Sequence, residues 1–595
     1  MAWRLAAGRP AGRSDRKPYG TFDIETDGLR GPLLYWSATC ECDPEGYLAE
    51  GTTAQGLWDH LFSHDARDHS NRDHIWWAHN GGEYDDVYLF EIAKAEAACR
   101  EAVVHPVMRG GAMIGLRVTR GHHRTDLRDS YALLPSPLKA LTAQLSPHLP
   151  KLDIGLSDGV LFDPDNPAHV EYAKRDTIAL LAVLVRFREI TSERFGGTLP
   201  SWSAASTALR AWQQTLPPDV SYAPGHHAAD TLARAGYYGG HVHPGTTRPQ
   251  RGMATIDRNS MYPTVMRDNG VPAGWSRPVR EYVPGAPGFY VCTVTVPRDQ
   301  PFTFIPYRDA SGALAWPTGT FDTVISSLEI DAARARGITV TVHRGSVWAR
   351  LDHPFGAYVD EVERMRAEGG ALSVVGKLLG NGLYGKFGAK PTHEEWAISD
   401  ECPGDGWWPA AADPDDPSLD GLWHRGGVPI KAPYLLPHWA AWITAGARLA
   451  LLAACEAVGA QHVVYTDTDS VTAPLDAINA AVAAGRITLG TRFGEWKLEH
   501  VWHSFRVVAP KVYRGVTMQG ERVRKAKGIP KRLRPAAFGG AVVSWDSPNA
   551  AIQVLRGADM VSERKRRLSD IGNSLAWRVQ SDGRIRPVHL DGNPT

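Results

Sequence analysis

Apolar and polar residues alternate through Gly20-Thr21-Phe22-Asp23-Ile24-Glu25-Thr26, which predicts a buried strand with Phe22 and Ile24 facing inward. Asp23 and Glu25 then share the opposite face. A second strand is predicted over 75–80, and Gly81-Gly82 beyond it permits a tight turn that carries Asp85 towards the first pair. Apolar spacing becomes helical from His169 to Phe187, placing Tyr172 and Asp176 four apart on one face. Further on, 254–257 reads as a short strand, and 289–296 and 338–343 as strand-like runs. Residues 354–388 read as a helical pair broken at Gly369-Gly370. The second helix carries Lys377, Asn381 and Tyr384 on one stripe, a poor core face and a good ligand face. A helix from about Pro437 to Ala457 leads into Val463–Val471, where β-branched residues flank Asp467-Thr468-Asp469 at a hairpin tip. Residues 389–433, rich in Asp, Pro, Gly and Trp, are too long for an ordinary connection.

At 595 residues the chain has room for about three or four domains. Its 43% hydrophobic and 22% charged content is that of a soluble globular protein. No run of about 18 uninterrupted apolar residues occurs, so no membrane span is expected. Residues 1–17 read as a loose basic tail and not a secretory signal. Of six cysteines only Cys40 and Cys42 are close; that spacing matches no zinc motif and reads as reduced thiols in a cytoplasmic protein. The net charge of zero is unevenly spread. Residues 501–595 hold 18 Lys+Arg against 7 Asp+Glu, an excess of +11 that leaves −11 for the remainder. A basic end joined to acid-rich domains suits a protein that grips phosphate in one place and binds metal in another.

Each acid pair alone has a bland reading, since acidic turns and strand edges are commonly just solvated. What changes the picture is convergence. Three segments deliver Asp23, Glu25, Asp85 and Asp176 with the Tyr172 hydroxyl, and four carboxylates share a site only when cations neutralise them. Two divalent ions so held can activate water and stabilise the leaving oxygen of a phosphodiester. In order along the chain, Asp23-x-Glu25, Asn80-x3-Tyr84-Asp85 and Tyr172-x3-Asp176 resemble the three motifs of DnaQ-like 3′–5′ proofreading exonucleases. The resemblance implies an RNase H-like α/β fold, a two-metal site on the four carboxylates, and Tyr172 orienting the attacking water. It assigns single-stranded DNA contacts to Asn80, Tyr84 and Ser130, the last in Asp129-Ser130-Tyr131-Ala132-Leu133-Leu134 with Tyr131 where leucine is usual. Lys151-Leu152-Asp153-Ile154 matches the Lys-x2-hydrophobic motif of such domains.

The remaining motifs resemble those of family B DNA polymerases. Tyr237-Tyr238-Gly239-Gly240 is similar to the Tyr-x-Gly-Gly joint between exonuclease and polymerase, which gives Tyr237, Gly239 and Gly240 DNA contacts. Asp257-Arg258-Asn259-Ser260-Met261-Tyr262-Pro263 resembles motif A, with Asp257 a metal ligand and Tyr262 beneath the sugar, excluding a 2′-hydroxyl. Lys377-x3-Asn381-Gly382-Leu383-Tyr384-Gly385 resembles motif B, with glycine in place of serine at 382. There Lys377 meets the triphosphate, with Asn381 on the same stripe, Tyr384 packs on the nascent base pair, and Arg364 and Arg366 are further triphosphate contacts. Tyr465-Thr466-Asp467-Thr468-Asp469-Ser470 matches motif C at each specified position, and Lys511-Val512-Tyr513 resembles the Lys-x-Tyr motif that holds the primer. Arg524, Lys525 and Lys527 belong to a basic run expected to track phosphates. The cluster 564–567 reads equally well as a solvated helix face.

On these motifs the chain is identified as similar to family B DNA polymerases with a proofreading exonuclease, nearest the protein-primed subgroup of phages and linear plasmids. The expected fold is a multidomain α/β and α+β chain. It comprises a basic tail (1–18), an RNase H-like exonuclease (19–190), a connector (191–245), palm and fingers (246–515) with insertions at 266–350 and 389–433, and a basic thumb and tail (516–595). The second insertion is expected to form a hairpin closing over the template, although its Asp413–Asp416 run is a poor DNA-facing surface. Two Mg²⁺ per active site are implied, Mn²⁺ being able to substitute, with Asp257 and Asp469 as ligands and Asp467 in support. Implied partners are template and primer DNA, dNTPs and a terminal-protein primer, with no membrane. Ordinary and self-priming relatives share these motifs, so priming stays open. A nuclease with a non-catalytic polymerase half, or a replication scaffold, would not need both acid clusters complete.

Overall fold

The computed structural model describes residues 5, 6, 8, 17–27, 31–42, 48–63, 73–98, 102–109, 112–154, 161–399, 401–409, 422–429, 432–546, 563–568, 577–579 and 585–591. Strand Tyr19–Thr26 lies inside a mixed ten-stranded sheet, between parallel Ile75–Ala78 and antiparallel Leu33–Cys40. His123–Asp129 extends the parallel set. The alternation seen in the sequence is the reason for the placement: Phe22 and Ile24 enter a core with Trp36, Leu57, Trp58 and Trp76. The other face is covered by helix Pro167–Arg194, which starts on Pro167 with the Asn166 side chain capping Ala168 N. Thr21 Oγ1 donates to Thr177 O at 2.8 Å and fixes that helix over the strand.

One expectation changes here. The loose N-terminal tail is partly ordered, because Leu5–Ala6 pairs with Ser221–Tyr222. The second insertion contains a hairpin, Thr392–Ile398 paired with Leu422–Pro429, and Ile398 also pairs with Val104 of the first sheet. Trp396, Ile398 and Leu422 are buried in that sheet's own core, so apolar burial fixes the hairpin there. Its acidic run at 413–416 lies outside the described residues.

A second, all-antiparallel sheet has the spatial order Val242–Pro244, Tyr465–Asp467, Ser470–Pro474, Met253–Arg258, Trp496–Ala509, Val512–Thr517, Arg522–Ala526. Behind it runs helix Pro437–Val458. It is long and apolar enough to cross a membrane, yet it is mostly buried inside the protein, which accounts for its composition. A boundary at 515 would cut this sheet, since Arg522–Ala526 is its edge strand. The connector is equally well packed. Its helices Ala204–Gln214 and His227–Ala235 join the core, where Trp212 meets Phe355, Phe387 and Trp439 at ring-centroid distances of 5.4, 5.5 and 5.9 Å.

Helices Gly356–Glu368 and Gly370–Phe387 meet at two positive-φ glycines, Gly369 (79°) and Gly370 (51°). The first insertion forms a five-stranded sheet ordered Val271–Val279, Thr339–Asp352, Gly288–Val296, Thr318–Ser326, His589–Asp591. The last strand comes from the C-terminus and pairs in parallel. Glu563–Arg566 is a strand paired with Val543–Asp546, not a helix face, and Arg564, Lys565 and Arg566 are exposed on it.

Candidate active sites and nucleic-acid interface

The first site gathers what the sequence assigns to it. Ile24 N donates to Asp85 Oδ1 at 3.1 Å, tying the turn to the strand between Asp23 and Glu25. Burial raises all four carboxyls, and repulsion between neighbours adds to it for Asp23, Glu25 and Asp85. Asp23 is pushed up to about 7 by burial and by Asp176, and Glu25 to about 8 by burial, Asp23 and Asp176. Asp85 is raised by burial, Asp23 and Asp86. Asp176 is raised by burial even though Lys151 opposes the shift, and its buried Oδ1 has no hydrogen-bond partner. Lys151 Nζ binds Asp176 Oδ2 and donates to the Tyr172 hydroxyl at 2.8 Å, lying 4.5 Å from that ring's centre. A repelling carboxylate cluster with an orphaned oxygen fits hard divalent cations.

Around it, Asn80 takes a left-handed conformation (φ 68°), and its N–H donates to Asp129 Oδ1 at 2.9 Å. The Tyr84 hydroxyl is hydrogen-bonded to Thr26. Ser130 needs correcting as a direct DNA contact. It is fully buried, and its hydroxyl lies 2.9 Å from His79 Nδ1, so it positions that ring instead. The exposed member of the stretch is Tyr131, whose ring meets His79 edge-on at 5.8 Å. His79 and the buried Asp86 were missed by the sequence reading. Burial and Lys151 push His79 down to about 4; burial and Asp129 push Asp86 up to about 8.

The second site lies at one end of the antiparallel sheet. Asp257 stands opposite Ser470 on one side and Lys497 on the other, and Asp467 stands opposite Ser470. At the hairpin tip Thr468 adopts φ 66°, and Arg258 N donates to Asp469 O at 2.8 Å. Asp469 is pushed up to about 6 by burial, Asp257 and Asp467. Lys497 Nζ is 2.9 Å from Asp257 Oδ1, and Lys511 Nζ pairs with Asp467. Lys511 N also donates to the Tyr465 hydroxyl at 2.9 Å, while the Tyr513 and Tyr465 rings lie 5.5 Å apart. Three clustered aspartates, one resisting ionisation, again fit divalent cations.

Tyr262 and Tyr384 are stacked at 4.1 Å with a 21° interplanar angle. The charge of Asp469 raises both phenols after burial does, so residues from all three segments share one space. Lys377 and Asn381 are exposed on their helix. Arg364 is exposed and pairs with Glu361 at 2.6 Å. Arg366 donates to Ser373 O and Oγ at 3.1 and 2.9 Å, clamping the two-glycine turn, and is not aimed outward. Gly382 has a packing reason: a Cβ there would meet Ala205 Cα at 3.3 Å, against the start of the connector helix.

The connector tetrapeptide packs on the hairpin tip. A Cβ on Gly240 would meet Thr468 side-chain atoms at 2.6 Å, and Thr468 N donates to His241 O at 2.8 Å. Arg448, on the buried helix, donates to Tyr238 O and Gly239 O at 3.0 and 3.2 Å and to Glu329 at 2.6 Å. Tyr237 rests on Gly388, where a Cβ would come within 2.5 Å of its ring. No local pattern marked His241, Glu329, Arg448 or Lys497, because each acts through distant partners.

Basic residues mark the nucleic-acid surface. Arg506, Arg514, Arg522 and Arg524 line a cavity of about 320 Å³ on the sheet edge. Lys525 and Lys527 are exposed beside it, Lys525 lying 5.7 Å from the Tyr513 ring. Between the two halves, Lys386 is held below the usual lysine range by burial, Arg109 and Arg210. That cationic junction was also not legible in sequence.

Residues 166–404 match a family model described as DNA polymerase type B, organellar and viral. The chain is 24% identical over 509 residues to the DNA-directed DNA polymerase of Enterobacteria phage PRD1, covering 81% of this chain and 80% of that protein. It is 24% identical over 383 residues to a probable DNA polymerase of Neurospora intermedia, covering 58% of this chain but spanning only 37% of that longer protein. Its fold is similar to phi29 DNA polymerase solved with primer-template DNA and incoming nucleotides, with TM-score 0.71, 14% identity, and coverage of 93% and 100%.

Proposed function

We propose that the chain is a family B DNA polymerase that copies a DNA template from dNTPs, proofreads 3′–5′, and begins from a terminal-protein primer. The single observation that carries this reading is the meeting of Asp257, Asp469, Tyr262 and Tyr384 from three distant segments at one sheet end. Asp257 and Asp469 would hold Mg²⁺ with Asp467 in support; Asp23, Glu25, Asp85 and Asp176 would hold a second pair. Such ions, when bound, neutralise the triphosphate and activate the primer hydroxyl in one site, and activate water on a phosphodiester in the other.

The chain's own residues do the rest. Tyr262, stacked on Tyr384, presents its ring beneath the sugar and leaves no room for a 2′-hydroxyl. Lys377 and the exposed Arg364 receive the triphosphate, while Arg366 holds the helical pair in shape. Lys511 and Tyr513 hold the primer terminus beside Asp467. In the nuclease site Lys151 and Tyr172 orient water at Asp176, and Tyr131, His79 and Tyr84 line the path of the frayed strand. Phosphoryl transfer needs chiefly positioning and charge neutralisation, which these arrangements supply.

Protein priming is favoured by the two insertions, a five-stranded sheet after the first motif and a hairpin after the second. The setting would be a host cytoplasm. The first test is primer extension with Mg²⁺ and dNTPs; a folded protein that extends no primer would sink the reading. For priming, labelled dNTP is incubated with enzyme and candidate terminal protein. Label on the denatured protein is expected, whereas chains begun on naked template would replace this with self-priming.

A further inference from the structure

Cys40-x-Cys42 matches no zinc spacing in the sequence because its third donor stands more than thirty residues away. The fold supplies that donor. Gly20 pairs with Cys40 on one flank of strand Tyr19–Thr26 and with Trp76 on the other. His74, just ahead of that neighbouring strand, thereby reaches the cysteines. The two Sγ atoms and an imidazole nitrogen all lie within 4.8 Å of one another, and Cys42 Sγ is 3.2 Å from His74 Nε2. A tetrahedral zinc with bonds of about 2.3 Å to sulfur and about 2.05 Å to nitrogen would separate S from N by ~3.6 Å and the sulfurs by ~3.8 Å. Cys42 and His74 need separate by only about 0.4 Å, and Cys40 needs to close by at most about 1 Å.

The surroundings orient these groups. Glu41, between the cysteines, is turned away and fixed: it accepts from Tyr19 N at 2.7 Å and from Arg188 at 2.6 and 2.5 Å. That holds Cys40 and Cys42 on either side of a rigid turn. The His74 ring stacks on Trp76 at 5.5 Å and 25°. Trp76 in turn lies over Gly20, where any Cβ would come within 2.3 Å of its ring. Cys40 and His74 are buried and Cys42 is exposed, so the one open side faces solvent. Two thiolates and an imidazole suit zinc, and the lack of a carboxylate disfavours magnesium, calcium and manganese.

We propose that Cys40, Cys42 and His74 bind a zinc ion, completed by a water, that staples together the two strands flanking Tyr19–Thr26. Binding releases the thiol protons to solvent and involves no redox step. Gly20 precedes Asp23 by three residues, about 10 Å along a strand, so the ion acts by steadying the strand that carries Asp23 and Glu25. This does not depend on the polymerase reading.

The test uses the purified full-length protein, reduced and titrated with Co²⁺. The expected result is a near-ultraviolet thiolate-to-cobalt band with tetrahedral visible bands, saturating at one equivalent and displaced by Zn²⁺. Cys42→Ser should lose the band, and because Cys42 is exposed this variant keeps its fold, checked by its unchanged circular dichroism. His74→Gln should weaken Co²⁺ binding at least tenfold, while Cys402→Ser, an exposed cysteine elsewhere, should keep the full band. Absence of any thiolate band in the parent, or its full retention in Cys42→Ser and His74→Gln, would overturn the proposal. So would a Cys40–Cys42 disulfide persisting in the reduced protein.

Discussion

In the half proposed as the nuclease, Asp23, Glu25, Asp85 and Asp176 come together from a strand, a turn and a helix, Asp85 and Asp176 buried and the other two half-buried; burial and repulsion push Asp23 up to about 7 and Glu25 up to about 8. In the polymerase half, Asp257 and Asp467 lie on the two strands that flank Ser470–Pro474, with Asp469 in the hairpin turn, all at one part-exposed sheet end. There Asp469 is raised to about 6, and Lys497 and Lys511 lie alongside Asp257 and Asp467. The difference lies in how each cluster tolerates its own charge. The open one leans on two lysines and on solvent; the buried one keeps protons until a cation replaces them. Metal binding should therefore displace protons chiefly in the nuclease half.

The sharpest way to break this comparison is to disable one cluster at a time. Asp469→Ala should cut nucleotide addition by at least about 10³-fold while degradation of single-stranded DNA persists. Joint loss in a folded variant would mean that the halves are not independent. Asp23→Ala with Glu25→Ala should do the converse, and should raise the melting temperature measured in chelator, because it removes buried repulsion. Nuclease activity surviving in that variant would unseat the first cluster.

The pH dependence sharpens the contrast. A carboxyl raised by folding contributes stability that is fully present below its unfolded value near 4 and lost as pH rises through its folded value. For Asp23 and Glu25 the loss runs from about pH 4 to about pH 8. In chelator the parent's melting temperature should thus fall across this window relative to Asp23→Asn, and Mg²⁺ should close the gap most at pH 8. Equal slopes with and without the substitution would contradict a proton-holding cluster. Next in size, Tyr262→Val should ease ribonucleotide discrimination by roughly tenfold or more, read as the ratio of kcat/KM values. Smallest is Gly382→Ser. A helix gain of about 0.5 kcal/mol opposes a tight contact of about 1 kcal/mol with Ala205, so the denaturation midpoint should barely move.

Much of this was legible because it is local or periodic. Phe22 and Ile24 alternate with Asp23 and Glu25, and Tyr172 and Asp176 share a helix face, so strand, helix and site could be read together. The Asp467–Asp469 hairpin followed from its β-branched flanks. What sequence could not supply were partners set by tertiary packing. Arg448 and Glu329 form a buried pair more than a hundred residues apart, both about 1% exposed. Removing either partner should cost about 3–5 kcal/mol. Ser130 was misjudged because a motif does not state burial. The boundary at 515 cuts the second sheet because Arg522, Arg524 and Lys525 make Arg522–Ala526 read as surface, although Ala526 is buried and the strand is hydrogen-bonded into that sheet. Cys40 and Cys42 lacked their third neighbour until the sheet brought His74 across.

One junction bears on how the molecule can be taken apart. Because Ile398 pairs with Val104, and Trp396, Ile398 and Leu422 fill the first sheet's core, the nuclease half borrows part of its interior from a segment that follows the fingers helices. A fragment ending near residue 190 would bare the edge of strand Val103–Arg109 and the apolar patch beneath it, a template for pairing with other chains. A nuclease excised at that seam would precipitate or swap partners, whereas one carrying the 392–429 hairpin on a short linker would remain monomeric.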